Sequence, residues 1–375
     1  MIGLLFLKNL SFIWKHNGWD GVRNHYFNRK FIAKVIFAKR DNYIEKNYFK
    51  SSRLKGEVSK RIYFYTSAWG DYLDLFFNYG LPSILQKSNI PKLKNHGYDL
   101  RMFIYSGEED IISIKKRFST LIFEVEKYVK LSFVPIYINY NPLDNEYRNE
   151  FLINALLFHI KKCITDQAVS FLLPSDTIFG NKSLWNMIKL AEGKGVCVAA
   201  AHPRISWEKV QSSNIFLKLK NNEICVENDL LVDLTFDCAH PNLLRSFDNQ
   251  EYNVTYAGVS IRKINSNTYA VIHNLPTVYL ANFIDDDYQF FNNDRIFNDW
   301  DRGWSKILVK NSRVKVVGSS DLFFCVEMTK ENVGLALLKN NLLYNDKFIK
   351  QSIPLKGYVN IYNSFCSVWR GRSLT

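Results

Sequence analysis

A chain of 375 residues that is 47% hydrophobic and 23% charged has ample apolar surface for a large folded core, which excludes disorder as its main state. Its net charge of +13 is local: residues 1–60 hold thirteen Lys and Arg against four acids, so nine of those charges fall at the front of the chain. The six cysteines, at 163, 197, 225, 238, 325 and 366, form no C-x-x-C pair, which excludes a zinc ribbon or thioredoxin motif and predicts free thiols in a reducing compartment.

Residues 1–56 read as a basic, aromatic arm of two or three short helices. Phe12, Trp14, Trp19, Tyr26, Phe27 and Phe31 alternate with Lys and Arg. That pattern suits an element lying on the anionic inner face of a membrane. It suits equally a helix packed on the main domain with its charges in water. Met1–Phe6 is apolar but short, and no run in the arm approaches the roughly 20 apolar residues that span a bilayer. No signal-peptide cleavage pattern follows. The expected location is cytoplasmic, with peripheral membrane contact through 1–56.

The core begins after residue 57. Arg61–Ser67 reads as a buried strand and Ala68-Trp69-Gly70-Asp71 as a turn. Tyr72–Gln86 has helical spacing, with Pro82 marking a kink or break. Further strands are expected at Leu100–Tyr105, Lys130–Tyr137, Ala168–Leu173 and Val196–Ala201. Helices are expected at Ile111–Phe118, Glu146–Ile164 and Leu184–Ala191. Continuous apolar strands alternating with helices predict an α/β fold: a mainly parallel, Rossmann-like central sheet with helices on both faces. After about 205 the order changes to helices near 227–247, then short strands at Val254–Ile261, Tyr269–Ile272 and Val278–Ala281, and one more within Lys315–Phe324. The domain is taken as 57–330, followed by a C-terminal helical cap over 331–375.

Two strand ends carry the chemistry. In open α/β sheets ligands bind outside the carboxyl ends of strands. There, Thr66, Trp69, Gly70 and Asp71 are candidates to stack and hydrogen-bond a nucleotide, or simply to start a helix. Asp176, in Leu172-Leu173-Pro174-Ser175-Asp176-Thr177, follows a very apolar run, where a charge needs a partner. A Mn²⁺ or Mg²⁺ ion holding a diphosphate is one such partner, and a helix-type cap through backbone N–H groups is the alternative. Later in the chain, His273 is a candidate metal or phosphate ligand. Asp285, Asp286 and Asp287 offer a general base for an acceptor hydroxyl, or form a solvated loop. His240 and Asp321 are lesser candidates. Arg204, Arg262 and Lys263 are candidate cations for a diphosphate leaving group.

No G-x-G-x-x-G, Walker loop or G-x-S-x-G occurs, which argues against dinucleotide enzymes, P-loop NTPases and hydrolases. The sequence pI of about 9.2 comes from the arm and no recognition motif accompanies it, so no specific nucleic acid is expected.

The stretch Tyr63–Asn89, with its W-G turn, Leu81-Pro82-Ser83 and Asn89-Ile90-Pro91, resembles the start of a group of bacterial glycosyltransferase-like proteins. Pro174–Gly195 resembles the same group, and the metal-binding strand end of GT-A-type transferases. The resemblance spans about residues 61–320. It implies a nucleotide-sugar donor, a glycan or lipid-linked acceptor, and a role in surface polysaccharide or lipopolysaccharide assembly. GT-A enzymes usually show D-x-D where this chain has a single carboxylate. That leaves open a cation held by Asp176 and a distant histidine, or cationic side chains serving the diphosphate instead. The same departure keeps alive a non-catalytic nucleotide-sugar-binding protein or scaffold.

Overall fold

The structure, a computed structural model, describes residues 60–135, 145–191, 197–200, 203–244, 259–264, 266–273, 277–283, 288, 314–332 and 366–372. All fall in one compact unit that takes in 56–135 and 141–375. The expected arm, 1–56, lies outside them.

The strands are β1 (Arg61–Ser67), β2 (Asp99–Ser106), β3 (Lys130–Pro135), β4 (Val169–Leu172), β5 (Thr177–Phe179), β6 (Cys197–Ala200), β7 (Arg204–Ser206), β8 (Val259–Lys263), β9 (Thr268–His273), β10 (Thr277–Ala281), β11 (Val314–Val316), β12 (Cys325–Thr329) and β13 (Cys366–Arg370). Seven of them form the central sheet, in the order β11-β6-β10-β4-β1-β2-β3. The pairs β1–β2, β1–β4, β2–β3 and β6–β11 are parallel. Only β10 runs against its neighbours β4 and β6. The expected mixed α/β fold with a mostly parallel sheet is therefore present. Two three-stranded sheets flank it, β5-β12-β7 and β13-β9-β8.

Alternation along β1 divides the core into two layers, as strand geometry requires. Ile62 and Phe64 pack with Leu73, Phe76 and Phe77 of the helices that follow β1. The first of these, α1 (Asp71–Leu75), passes through a π-helical turn, Phe76–Gly80, into α2 (Leu81–Ile84). Pro82 lies at the start of α2. Its missing N–H and the clash of its ring with the preceding turn favour a local change in winding there, which is the break the sequence predicts. The same layer contains α3 (Ile90–Asn95), α4 (Glu108–Arg117), α5 (Ser119–Glu126) and α7 (Ser183–Ala191).

Tyr63 and Tyr65 point the other way, under α6 (Asn145–Asp166). There Tyr65 meets Tyr105 and His159 with ring centroids 5.2 and 5.0 Å apart. His159 is fully buried and shares a hydrogen bond with the Ser170 hydroxyl at 3.0 Å. Burial holds its imidazole down at about 3, with the Lys162 charge adding to the effect, against an ordinary value of 6.5. Between those values the unfolded chain binds a proton that the folded one refuses. Stability from this group is complete above pH 6.5 and falls as pH drops toward 3, by up to about 1.4 kcal/mol per unit. Urea unfolding at pH 7 and pH 5 is expected to show a steeper loss in the native protein than in His159→Gln. Equal losses would contradict a neutral, buried His159.

The remaining helices, α8 (Trp207–Ser212), α9 (Asn214–Lys220), α10 (Asn228–Asp237) and α11 (Pro241–Leu244), pack with β7 and β12 around a second apolar cluster that includes Ile178, Val226, Val326 and Met328. The expected strands over 130–137 and 254–261 are described only at 130–135 and from Val259 onward. Within the expected C-terminal helical cap, Cys366–Arg370 is a strand, β13, paired with β9. Its partner strand decides this, because a five-residue segment gains more from a neighbouring ladder than from an isolated turn of helix. Residues 333–365 and 373–375 of the expected cap lie outside those described. Among the described residues, Cys163, Cys197, Cys225, Cys238 and Cys325 are free thiols, and no helix is long and apolar enough to cross a membrane.

Candidate functional site

Strand order reverses at β1: β2 and β3 extend to one side of it and β4 to the other. A crevice opens at such a point because the connections leave the two carboxyl ends on opposite faces. Leu173 N–H donates to the Tyr65 carbonyl at 2.8 Å, which fixes the end of β4 beside the end of β1. Trp69, Gly70 and Asp71 leave from one strand and Asp176 from the other. These four predicted residues share one edge of the sheet.

Gly70 makes the turn possible. Its φ of +52° and ψ of −131° are a conformation that a residue with a Cβ adopts only under strain. Its N–H points at the Asp110 carboxylate, 3.4 Å away. The space around a Cβ at this position is open, so the cost of Gly70→Ala is purely conformational. We expect a loss of about 1–2 kcal/mol in urea unfolding, with a weaker hold on whatever Trp69 and Asp71 bind.

Beyond the turn, aromatic rings line the rim. Trp69 and Tyr72 lie 6.3 Å apart between centroids, and Tyr72 and Trp207 6.4 Å. Tyr72 is exposed, at 37%. Lys330 closes the rim: its Nζ is 4.7 Å from the Trp207 ring centroid and 3.1 Å from Asp71 Oδ2.

Strand β12 ties these pieces together. Met328 N–H donates to the Asp176 carbonyl at 2.7 Å and Glu327 N–H to the Pro203 carbonyl at 2.9 Å. Thr177, Glu327 and Arg204 are direct partners across β5, β12 and β7, so their side chains share one face. On that face Arg204 pairs with Glu327 at 2.9 Å, and Thr329 donates its hydroxyl to the same carboxylate at 3.2 Å. Behind them, Cys325 Sγ is 3.1 Å from the Tyr279 hydroxyl. Burial, then Cys325, then the negative charges of Glu327 and Asp176 hold the Tyr279 phenol well above its usual range. Two carboxylates thus act on one phenol buried in the core beside Phe179 and Phe323.

Other expectations fare differently. Thr66 is fully buried on the Ile62–Phe64 side of β1, so its side chain does not open to the crevice; alternation turns it inward. The Arg204 charge is already compensated by Glu327, which makes it a bridge between β7 and β12 rather than an uncommitted cation. His240 is also fully buried. Its Nδ1 accepts from Asn242 N–H and its Nε2 faces the Lys330 carbonyl, each at 3.1 Å. It clamps the end of β12 and is not a ligand. Asp321 is paired with Arg370 and accepts from the Ser319 hydroxyl at 3.0 Å.

His273 ends β9, four residues before Thr277, which pairs with Ala200 at the carboxyl edge. The His273 side chain, the side chains of Arg262 and Lys263, and Asp285, Asp286 and Asp287 lie outside the described residues. Strand β10, being antiparallel, carries the chain to Phe283 at the opposite edge of the sheet.

Sequence reading missed Glu327 and Lys330. The signal was an acid inside the otherwise strand-like run Phe323–Thr329, where a charge demands a partner. The segments that carry the glycosyltransferase-like resemblance meet in a different place. Asn89 Nδ2 donates to the carbonyls of Ser83 and Gly180 at 3.2 and 3.1 Å, and Leu184 N–H donates to Asn89 Oδ1 at 3.1 Å. The Ser83 hydroxyl accepts from Phe179 N–H at 3.0 Å. These residues staple α2 and α3 to the segment after β4, and so hold the loop that bears Asp176. The chain matches no family model and no curated protein.

Proposed function

We propose that this chain is a nucleotide-sugar-dependent glycosyltransferase of GT-A type, moving a sugar to a glycan or lipid-linked acceptor in bacterial surface polysaccharide assembly. The observation that carries the reading is that the Trp69-Gly70-Asp71 turn and Asp176 leave the carboxyl ends of neighbouring strands β1 and β4, where strand order reverses. The Trp69 and Tyr72 rings are suited to stack a base, and Asp71 to accept from ribose hydroxyls. Asp176 offers the hard carboxylate oxygens that Mn²⁺ or Mg²⁺ takes. Among the described residues no group of three such ligands gathers. Such an ion, when bound, neutralises the charge that develops on the leaving diphosphate. His273 is proposed as a further ligand; the base of an inverting reaction is left unassigned, because Phe283, two residues before Asp285, stands at the edge opposite the carboxyl ends of β1 and β4.

Thermal unfolding with UDP-, GDP-, CMP- and ADP-sugars, with and without Mn²⁺, tests the reading. One nucleotide class at 100 times its Kd is expected to stabilise the fold by about 2.7 kcal/mol. The gain is expected to vanish in Asp176→Ala while that variant stays folded. No shift with any donor would sink the proposal. A second reading, a protein that binds the donor without turnover, is favoured by the compensated charge of Arg204. A donor-dependent shift without sugar transfer to any acceptor would support it.

A further inference from the structure

The edge of the sheet opposite the crevice gathers cations on aromatic rings. Lys92 Nζ and Lys189 Nζ lie 4.4 and 4.8 Å from the centroid of the Trp185 ring. The two ammonium groups are therefore within about 9 Å of each other, close to the ~8 Å Debye length of physiological salt. The His96 ring is 4.4 Å from the same tryptophan. Lys189 and Lys60 both reach the Tyr98 ring, at 5.9 and 5.8 Å. Three separate segments supply these lysines: the residue before β1, helix α3 and helix α7. Lys60 and Lys189 are exposed and Lys92 is half-buried. Asp99, an acid beside this patch, is clasped by Arg61 at 2.9 Å and Arg101 at 3.5 Å.

Helix dipoles account for a lysine in the last turns of α3 and α7. They do not account for the convergence of three lysines from separate segments on two aromatic rings, a concentration of positive charge that attracts an anionic surface. Lys60 is also where the described fold begins. The residues before it carry twelve more Lys and Arg against four acids, interleaved with aromatics.

We propose that the Lys60, Lys92, Lys189, Trp185 and Tyr98 patch docks on an anionic lipid bilayer, extending onto the folded unit the basic aromatic character of residues 1–59. Lysine heads around a half-buried tryptophan are the composition of an interfacial anchor, in which the ring sits at headgroup depth and the ammonium groups meet the phosphates. The proposal is independent of the transferase reading.

The test is cosedimentation of the full chain with vesicles of phosphatidylcholine alone or with added phosphatidylserine. The triple variant Lys60→Gln, Lys92→Gln, Lys189→Gln is compared with a charge-matched control, Lys116→Gln, Lys218→Gln, Lys220→Gln, whose lysines are exposed elsewhere. Each lysine near an anionic surface contributes about a fivefold gain in affinity, so the patch variant is expected to lose roughly a hundredfold on phosphatidylserine vesicles while the control loses little. Unchanged melting temperatures keep the comparison valid, and single substitutions replace the triple if it melts early. Absence of vesicle binding by the native chain would overturn the proposal. Equal losses in both variants, or a loss confined to a DNA-retention assay, would also overturn it.

Discussion

Replacing Lys162 with methionine is expected to cost about 3–5 kcal/mol in urea unfolding. Lys162 and Asp166 are one helical turn apart near the end of α6, and their side chains are only 3% and 1% exposed. The ammonium lies 2.6 Å from Asp166 Oδ2, and the Tyr63 hydroxyl donates to the same oxygen. Arg61 reaches the Asp166 backbone carbonyl at 2.8 Å. Removing the lysine leaves a carboxylate in a site with little water and one neutral donor on its paired oxygen. Breaking a buried ion pair by removing one partner is costly, whereas replacing the whole pair with apolar groups of similar volume is often close to neutral. The double variant Lys162→Met, Asp166→Leu is therefore expected to recover most of the loss, a coupling that a double-mutant cycle reads directly. A single-variant cost below about 1 kcal/mol would mean that water reaches the pair.

Gly180→Ala is expected to cost about 3–4 kcal/mol, from overpacking together with broken buried hydrogen bonds. A Cβ at this position would stand 1.9 Å from Asn228 Oδ1 and 3.3 Å from the Phe324 carbonyl. Asn228 has nowhere to retreat. Its Nδ2 donates to the Ser320 carbonyl at 2.7 Å and its Oδ1 accepts from the Ser183 hydroxyl at 3.2 Å. Ser183 in turn bridges both backbone groups of Phe324 at 3.1 Å. Forcing the amide aside breaks a node that joins α7, α10 and the approach to β12. Because β12 carries Glu327 and leads directly to Lys330, the variant is expected, on the proposed function, to lose donor-induced stabilisation as well as stability. Asn228→Ala in the Gly180→Ala background separates the two causes: relief of the clash restores part of the stability, and an unrelieved loss would point to the glycine's own backbone.

Much of the central sheet was legible because its strands are buried on both faces. Arg61–Ser67 reads as a strand from its continuous apolar run, and β1 has those same ends. The helix over α6 shows its period clearly, and the glycine turn at 70 follows from local chemistry alone. Asp176 stands out because a carboxylate beside Leu172 and Leu173 demands a partner. The three-residue strands β5 and β7 have no period to read, so the small sheet that closes the crevice was invisible, and Glu327 and Lys330 with it.

The sequence by itself determined most strands of the central sheet, where the basic charge lies, and that Trp69, Gly70, Asp71 and Asp176 leave the ends of strands. Only the tertiary structure decided what those residues meet. Lys162 and Asp166 stand at ordinary i, i+4 helical spacing, and only the packing of α6 on Tyr63 removes them from water. Arg204 reads as an available cation until β12 brings Glu327 to within 2.9 Å of it. The reason is common to both: period and propensity act between residues near in sequence, whereas burial and charge pairing depend on segments more than a hundred residues apart arriving at one place.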